Sequence, residues 1–164
     1  MKKIILHWTA GSHAPTFFDR QFYHFLIDGE GNVHRGIYPP EANLNVKSGK
    51  YAAHCGGGNT GAIGVALCAM AGFTLSPLNS GRFPIKKIQL DALARLCAQL
   101  CRRYSIPVTP KTILTHYEFG LQNPLTSSAG KPDICHLPPH PEILPHDVGK
   151  FLRAKIRSQL ACSR

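Results

Sequence analysis

Long apolar runs are absent from this sequence, and no stretch approaches the roughly 20 residues that a helix needs to span a bilayer. Internal repeats and low-complexity tracts are absent too, which excludes repeat proteins and compositionally disordered chains. After the basic start, only three apolar residues precede His7, too few for the apolar core of a secretory signal. We therefore expect synthesis in the cytoplasm without a signal peptide, and any export by another route.

Acidic residues are scarce, since 9 Asp and Glu stand against 19 Lys and Arg and give a formal net charge of +10. Such a surface attracts polyanions, which include nucleic acids, anionic cell-wall polymers and anionic membrane surfaces. The basic residues are scattered, with no long basic run and no basic residues interleaved with aromatic ones. This pattern disfavours a protein that recognises a specific nucleic acid.

Hydrophobic residues make up 43% and charged residues 17% of the 164 residues, which are values typical of a globular protein. We predict one domain over residues 1–164, long enough to bury a sizeable core. The six cysteines are interpreted as mostly reduced thiols, because no secretory signal precedes them. Cys97 and Cys101 lie one helical turn apart, but packing in the core fits them better than metal binding, since free cysteine behaves as a small hydrophobe.

Hydrophobic patterning predicts a mixture of strands and helices. Apolar, β-branched runs predict buried strands at residues 3–7, 62–69 and 112–115. Apolar residues at three- and four-residue spacing predict a helix over 86–104, and a basic helix over about 146–160 closes the chain. The other predicted segments are a helical turn within 14–20, hairpin strands at 23–27 and 33–37, and loops at 39–61, 72–84, 124–130 and 138–145. We expect an α/β fold, a single domain with a central mixed β-sheet flanked by helices.

Two histidines stand at the ends of predicted buried strands. His7 ends the first strand, and His116 follows the strand at 112–115. If these strands are neighbours, the two rings converge, and a catalytic zinc site needs three such protein ligands and one open position. A single histidine beside apolar residues is more often a ring whose hydrogen bonds are satisfied within a core or a turn, so the zinc interpretation depends on further ligands.

The tripeptide Lys131-Pro132-Asp133 offers a third ligand. Proline restricts its own backbone and favours an extended conformation in the residue before it. In an extended tripeptide the first and third side chains point the same way, so Lys131 and Asp133 would face one site. Asp133 would then bind the metal, with the Lys131 ammonium beside it to meet a developing negative charge. A surface turn is the alternative interpretation of the same tripeptide.

Five fragments together carry a family resemblance: residues 5–10, 23–31, 54–67, 115–118 and 130–133. In this order they resemble the zinc-dependent N-acetylmuramoyl-L-alanine amidases of the type 2 amidase and peptidoglycan-recognition-protein superfamily, which includes phage endolysins. The resemblance covers roughly residues 3–138, which would form the catalytic core. It implies that the chain hydrolyses the amide bond between N-acetylmuramic acid and L-alanine in peptidoglycan.

The resemblance also implies a ligand set. His7 and His116 match the two zinc histidines of the family, Asp133 matches the third ligand, and Lys131 matches the lysine two residues before it. Many members continue with Pro-Gly after this ligand, whereas here the chain continues with Ile-Cys. Cys135 is therefore a rival third ligand, because thiolates bind zinc well. Asp133 is preferred because it keeps the spacing from the lysine.

Further roles follow from the same resemblance. Tyr23 matches the tyrosine that phage members place beside the zinc-bound water. Other members carry a glutamate on the central strand instead, and the matching position here is Ala66, which favours Tyr23.

The other candidate site residues are more weakly supported. His54 and Asn59, on the glycine-rich loop, are candidate substrate contacts, although a structural role fits His54 equally well. Trp8 and Thr9 are expected in the floor or wall of the substrate groove. Glu118 is expected to orient a ligand histidine, with a solvated carboxylate as the alternative.

Two rival functions remain. Some superfamily members bind peptidoglycan without cutting it, typically after loss of a zinc ligand, and a basic nucleic-acid-binding protein is a less favoured third reading. The presence of both histidines, the aspartate and the lysine favours an enzyme. We expect a monomer whose basic surface can contact the anionic envelope, although a solvated face is the commoner explanation of the basic closing helix. Its action on the wall would follow phage lysis or delivery by a secretion machine, or the protein would recycle wall fragments in the cytosol.

Overall fold

The computed structural model describes residues 1–162, and its framework is a mixed sheet of five strands. The strands in chain order are β1 (Lys3–Trp8), β2 (Phe25–Ile27), β3 (Val33–Arg35), β4 (Ala62–Leu67), β5 (Thr74–Leu75), β6 (Leu78–Asn79) and β7 (Ile113–Thr115). The central sheet has the order β3-β2-β4-β1-β7, while β5 and β6 pair separately. In the described central sheet β1 is parallel to β4 and β7, β2 is parallel to β4, and β2 and β3 are antiparallel. Strands β5 and β6 are also antiparallel.

In residues 1–162 four α-helices accompany the sheet: α1 (Asp19–Phe22), α2 (Lys87–Tyr104), α3 (His116–Gln122) and α4 (Val148–Cys162). Short 3-10 helices occur at Pro40–Leu44 and Val46–Ser48. Helix α2 buries the apolar stripe that its spacing predicts, including Cys97 and Cys101. None of the described helices is both long and apolar enough to cross a membrane.

The two faces of the sheet have different partners, because side chains alternate along a strand. Ile4 and Leu6 of β1 lie in the main core with the buried residues of α2 and α4. Ile5 packs on the opposite face, in a smaller cluster with Leu114 and Phe119. His7 shares this second face with Ile5, so its ring emerges away from the main core, on the side of α3 and the glycine-rich loop.

The predicted α/β class, with a central mixed sheet flanked by helices, is confirmed. The hairpin strands are shorter than predicted, because the first begins only at Phe25 and the second ends at Arg35, and β5 and β6 lie in a segment predicted to be a loop. Helix α3 was not predicted, because its seven residues carry too short an apolar pattern to detect. A capping box holds it, in which the side chains of Thr115 and Glu118 each accept a hydrogen bond from the other's backbone N–H.

An ion pair joins α3 to α4 just behind His116. The Arg153 guanidinium donates to both carboxylate oxygens of Glu118, at 2.9 and 3.0 Å, and to the carbonyl oxygen of Ile113 on β7. Both side chains are largely buried, with 7% and 13% of their surface exposed. Gly149 lies against the carboxylate, where a Cβ would overlap it. The pair therefore fixes α4 against the start of the helix that carries His116.

A second buried carboxylate holds the β2–β3 turn. Asp28 accepts hydrogen bonds from the backbone N–H groups of Glu30 and Asn32 and lies 2.8 Å from the ring Nε2 of His34. Burial alone would raise the pKa of Asp28, but the hydrogen bonds from His34 and Asn32 outweigh it and lower the pKa from 3.8 to about 2. The turn therefore depends on an ionised Asp28.

Replacing Arg153 by Met should lower the free energy of unfolding by about 3–5 kcal/mol, because the Glu118 carboxylate is then buried without its partner. The less buried pair between Lys155 and Asp91, with 26% and 37% of the side chains exposed, offers a control, and Lys155→Met should cost about 0–1 kcal/mol. Denaturant unfolding of both variants measures the difference. Equal losses in the two variants would show that the Glu118 pair contributes no more than a surface contact.

Asp28 should make the stability sensitive to acid. Its pKa is lower in the folded than in the unfolded chain, so its contribution is complete above about pH 4 and disappears as the pH falls towards 2. Asp28→Asn should therefore cost about 2 kcal/mol at pH 7 and progressively less below pH 4. Urea unfolding of both proteins across this range measures the effect. A gap that stays constant from pH 7 to pH 2.5 would refute the assignment.

Candidate metal centre

Three predicted ligands converge on the second face of the sheet. The Nδ1 atoms of His7 and His116 are 3.1 Å apart, and Oδ2 of Asp133 lies 3.2 Å from the first and 3.1 Å from the second. His7 comes from β1, His116 is the first residue of α3, and Asp133 lies in the loop that follows. Strands β1 and β7 are adjacent and parallel. His7, near the end of β1, and His116, directly after β7, therefore lie at the same edge of the sheet.

This triangle fits a zinc ion. Zinc bonds of 2.0–2.1 Å in a tetrahedron place neighbouring ligand atoms about 3.3–3.4 Å apart, close to the observed edges. Two imidazole lone pairs and a carboxylate oxygen at such distances repel one another unless a proton or a cation lies among them. Among the described residues, His7, His116 and Asp133 form a group of possible metal ligands whose ligand atoms all lie within 4.8 Å of one another.

The far side of each ligand ring has its own hydrogen-bond partner. Nε2 of His7 lies 3.0 Å from Nδ1 of His54, and Nε2 of His116 lies 2.9 Å from Oγ of Ser128. Metal-binding histidines commonly use the second ring nitrogen in this way, which fixes the orientation of the ring. Both rings therefore direct Nδ1 towards Asp133.

The pKa values of the three residues depend strongly on one another, because a mostly buried carboxylate lies between two imidazole rings. Burial lowers the pKa of His7 to about 4, so its ring is neutral at neutral pH, as a metal ligand must be. Burial also acts to lower the pKa of His116, but its hydrogen bond to the Asp133 carboxylate outweighs this and raises the pKa to about 9. Burial would raise the pKa of Asp133, yet the two histidines hold it well below the usual range. Asp133 is therefore an anion that attracts a proton or a metal ion.

The centre opens into a groove of about 350 Å³. The groove is lined by Trp8, Thr9, Ala10, Tyr23, Ala53, His54, Gly56, His116, Ser127, Ser128, Lys131 and Asp133. The Tyr23 ring lies 5.2 Å from the His7 ring, between centroids. Burial, and then the charge of Asp133, raise the pKa of Tyr23, which keeps its phenol protonated. The groove is therefore lined by Tyr23 and Lys131 together with the two ligands His116 and Asp133.

The structure brings most of the predicted site residues together. Lys131 and Asp133 line the same groove, as their spacing predicts. Trp8 lines it too, although its ring is mostly buried and packs on Phe73 at 4.7 Å. The rival ligand Cys135 is fully buried in the main hydrophobic core, so Asp133 is the residue that joins the histidines.

His54 is both structural and part of the groove. Its ring lies edge-on to the rings of His7 and His24, at 5.1 and 5.5 Å between centroids. It sits directly over Gly64 of β4, where a Cβ would collide with the ring. Glycine at this central strand position is therefore what allows the imidazole to reach His7.

Two predictions need correction. Asn59 does not line the groove, because its Oδ1 accepts the Cys55 backbone N–H at 2.8 Å and so closes the glycine-rich turn. Glu118 does not hold a ligand histidine, because its carboxylate bonds to Arg153 and to the backbone N–H of Thr115. Both side chains stabilise the backbone that carries site residues, and neither contacts the site itself.

Two further residues support the site without any recognisable sequence pattern. Ser128 lies in a segment predicted to be an irregular loop, and its buried hydroxyl contacts His116. His24 is buried with Nε2 3.0 Å from Oδ1 of Asn43, and its Nδ1 accepts the Gly64 N–H. These contacts link residues 12 to 40 positions apart, so no local pattern reveals them.

Comparison with known structures shows the same fold in several proteins. LysC, an N-acetylmuramoyl-L-alanine amidase from Clostridium intestinale URNW, is 15% identical with a TM-score of 0.52, over 95% of this chain and 85% of that one. A single-residue variant of PlyL is 18% identical with a TM-score of 0.51, over 96% and 85%. The drosophila peptidoglycan recognition protein SD is 19% identical with a TM-score of 0.50, over 77% and 74%.

Sequence comparison identifies the family. A search of curated proteins finds no match. The family model described as N-acetylmuramoyl-L-alanine amidase matches residues 1–141, which include all three converging ligands. The resemblance predicted from the five fragments is thereby confirmed, and the chain belongs to the N-acetylmuramoyl-L-alanine amidase family.

Proposed function

We propose that this amidase cleaves the bond between N-acetylmuramic acid and L-alanine with a zinc ion held by His7, His116 and Asp133. The convergence of two imidazole nitrogens and one carboxylate oxygen beside an open groove carries this proposal. A zinc ion bound there would act as a Lewis acid that lowers the pKa of a bound water molecule and polarises the scissile carbonyl group. A module that only binds peptidoglycan has no need of this complete ligand set.

Tyr23 orients the reacting groups. Its raised pKa keeps the phenol protonated at neutral pH, so it donates a hydrogen bond and does not act as a base. Strand β4 provides no carboxylate beside His7, because the residue paired with it is the buried Ala66. The phenol O–H is therefore the neutral donor that this chain offers to water or to the substrate carbonyl.

Lys131 stabilises the negative charge that develops on the carbonyl oxygen. Lys131 lines the groove and precedes the ligand Asp133 by two residues. A donor aimed at such an oxygen in a partly dry site is commonly worth about 2.7–4 kcal/mol of transition-state stabilisation. The charge of Lys131 therefore acts mainly on the rate and contributes little to holding the metal.

The rest of the groove suits a glycopeptide. It is lined by Thr9, Gly56 and Ser127. Hydroxyl and backbone groups of such residues form hydrogen bonds with sugars and with peptide amides. The net charge of +10 would draw the protein to the anionic envelope that contains this substrate. We propose that the chain acts on the wall as a monomer after lysis or delivery, or recycles wall fragments in the cytosol.

Zinc should prove necessary for activity. Purified protein should bind one zinc ion per chain and release free L-alanine amino termini from peptidoglycan, and a chelator should abolish this release until zinc is restored. His116→Ala should lower the rate by at least about 100-fold through loss of metal. His146→Ala is the matched control, since His146 is exposed and outside the groove. Activity that survives both chelation and His116→Ala would sink the zinc mechanism.

Lys131→Met should lower kcat by about 100- to 1,000-fold, because the oxyanion loses its charged donor. The zinc content and the free energy of unfolding should stay unchanged, since Lys131 is exposed. Lys111→Met removes an exposed lysine elsewhere on the surface and controls for the change in net charge. Steady-state kinetics on muropeptides with zinc quantified for each sample separates the effects. A normal kcat in Lys131→Met would exclude the oxyanion role.

A further inference from the structure

The hydroxyl group of Ser128 is buried at a junction of two loops and a metal ligand. The residue is 1% exposed, and its Oγ lies 2.9 Å from Nε2 of His116. The same oxygen lies 2.8 Å from the carbonyl oxygen of Gly56 and 3.4 Å from Sγ of Cys55. Ser128 thus connects His116 to the glycine-rich loop that forms one wall of the groove.

The direction of these hydrogen bonds is determined by chemistry. A carbonyl oxygen only accepts, so the Ser128 hydroxyl must donate its single proton to Gly56. The serine oxygen is then an acceptor towards His116, and Nε2 of that ring must carry a hydrogen. In a neutral imidazole this leaves the lone pair on Nδ1, the atom that lies 3.1 Å from Oδ2 of Asp133.

We propose that Ser128 is a positioning residue that holds His116 in the tautomer with hydrogen on Nε2, so that Nδ1 is the metal ligand. This inference rests on the proposed zinc site. The ligand His7 lacks an equally directional partner, because Nδ1 of His54 either donates or accepts. Nε2 of His54 is buried and makes no hydrogen bond within residues 1–162, and burial holds the pKa of this ring well below its usual range.

The packing around Ser128 keeps its hydroxyl in place. A Cβ on Gly120 of α3 would overlap the Ser128 carbonyl group, and a Cβ on Gly56 would overlap the Ser127 hydroxyl. Both glycines therefore let the loop approach α3 and the glycine-rich loop closely. Loss of the Ser128 hydroxyl alone should leave this packing intact, because it removes one atom and adds none.

Ser128→Ala tests the inference through metal affinity. Competition with a chromophoric chelator should show zinc bound at least about 10-fold more weakly than in the wild type, as for other partners of metal-binding histidines. Asn123→Ala is the matched control, since it removes a hydrogen bond to Phe119 at the start of the same loop without touching Ser128. The control should bind zinc as tightly as the wild type.

A second measurement uses the unaltered protein and does not depend on how the variant folds. Long-range ¹H–¹⁵N NMR of the zinc-loaded protein should show His116 with hydrogen on Nε2 and the metal on Nδ1. Coordination through Nε2, or equal zinc affinity in Ser128→Ala and wild type, would overturn the role of Ser128 alone. Failure of the wild type to bind zinc would instead overturn the proposed function.

Discussion

A carboxylate held between two imidazole rings is the interaction on which this site depends. Asp133 is mostly buried, with 14% of its side chain exposed, and an ionised group in such a place is costly unless it is paired. His7 and His116 provide the partners, and the three ligand atoms lie so close together that a proton or a cation must lie among them. The proposed zinc ion would meet this requirement, with the three side chains as its ligands.

The two faces of the sheet have different roles in the structure. The main core lies between the sheet and helices α2 and α4, so the second face needs less apolar cover and can carry polar groups. Gly56 lets Ser127 approach the glycine-rich loop closely, and Gly64 lets the His54 ring approach β4. Arg153 then anchors the helix that begins with His116, at a distance from the groove. The ligands are thus held by a rigid frame, as a preorganised site requires.

Much of this could be predicted from sequence. Apolar runs determine the parallel strands, and the ends of adjacent strands bring His7 and His116 together. The proline between Lys131 and Asp133 gives a local reason for those two side chains to face one groove. Contacts between distant residues were beyond such reasoning. The sequence suggests that Glu118 orients a ligand histidine, but its carboxylate binds Arg153, which is 35 residues away in the chain. Asn59 was assigned to substrate, although a local backbone hydrogen bond already uses its side chain.

X-ray absorption at the zinc edge identifies the atoms that bind the metal in the folded protein. We expect only nitrogen and oxygen neighbours at about 2.0–2.2 Å, with two imidazoles and a carboxylate among them. A sulfur neighbour at about 2.3 Å would bring Cys135 into the site and contradict the assignment of Asp133.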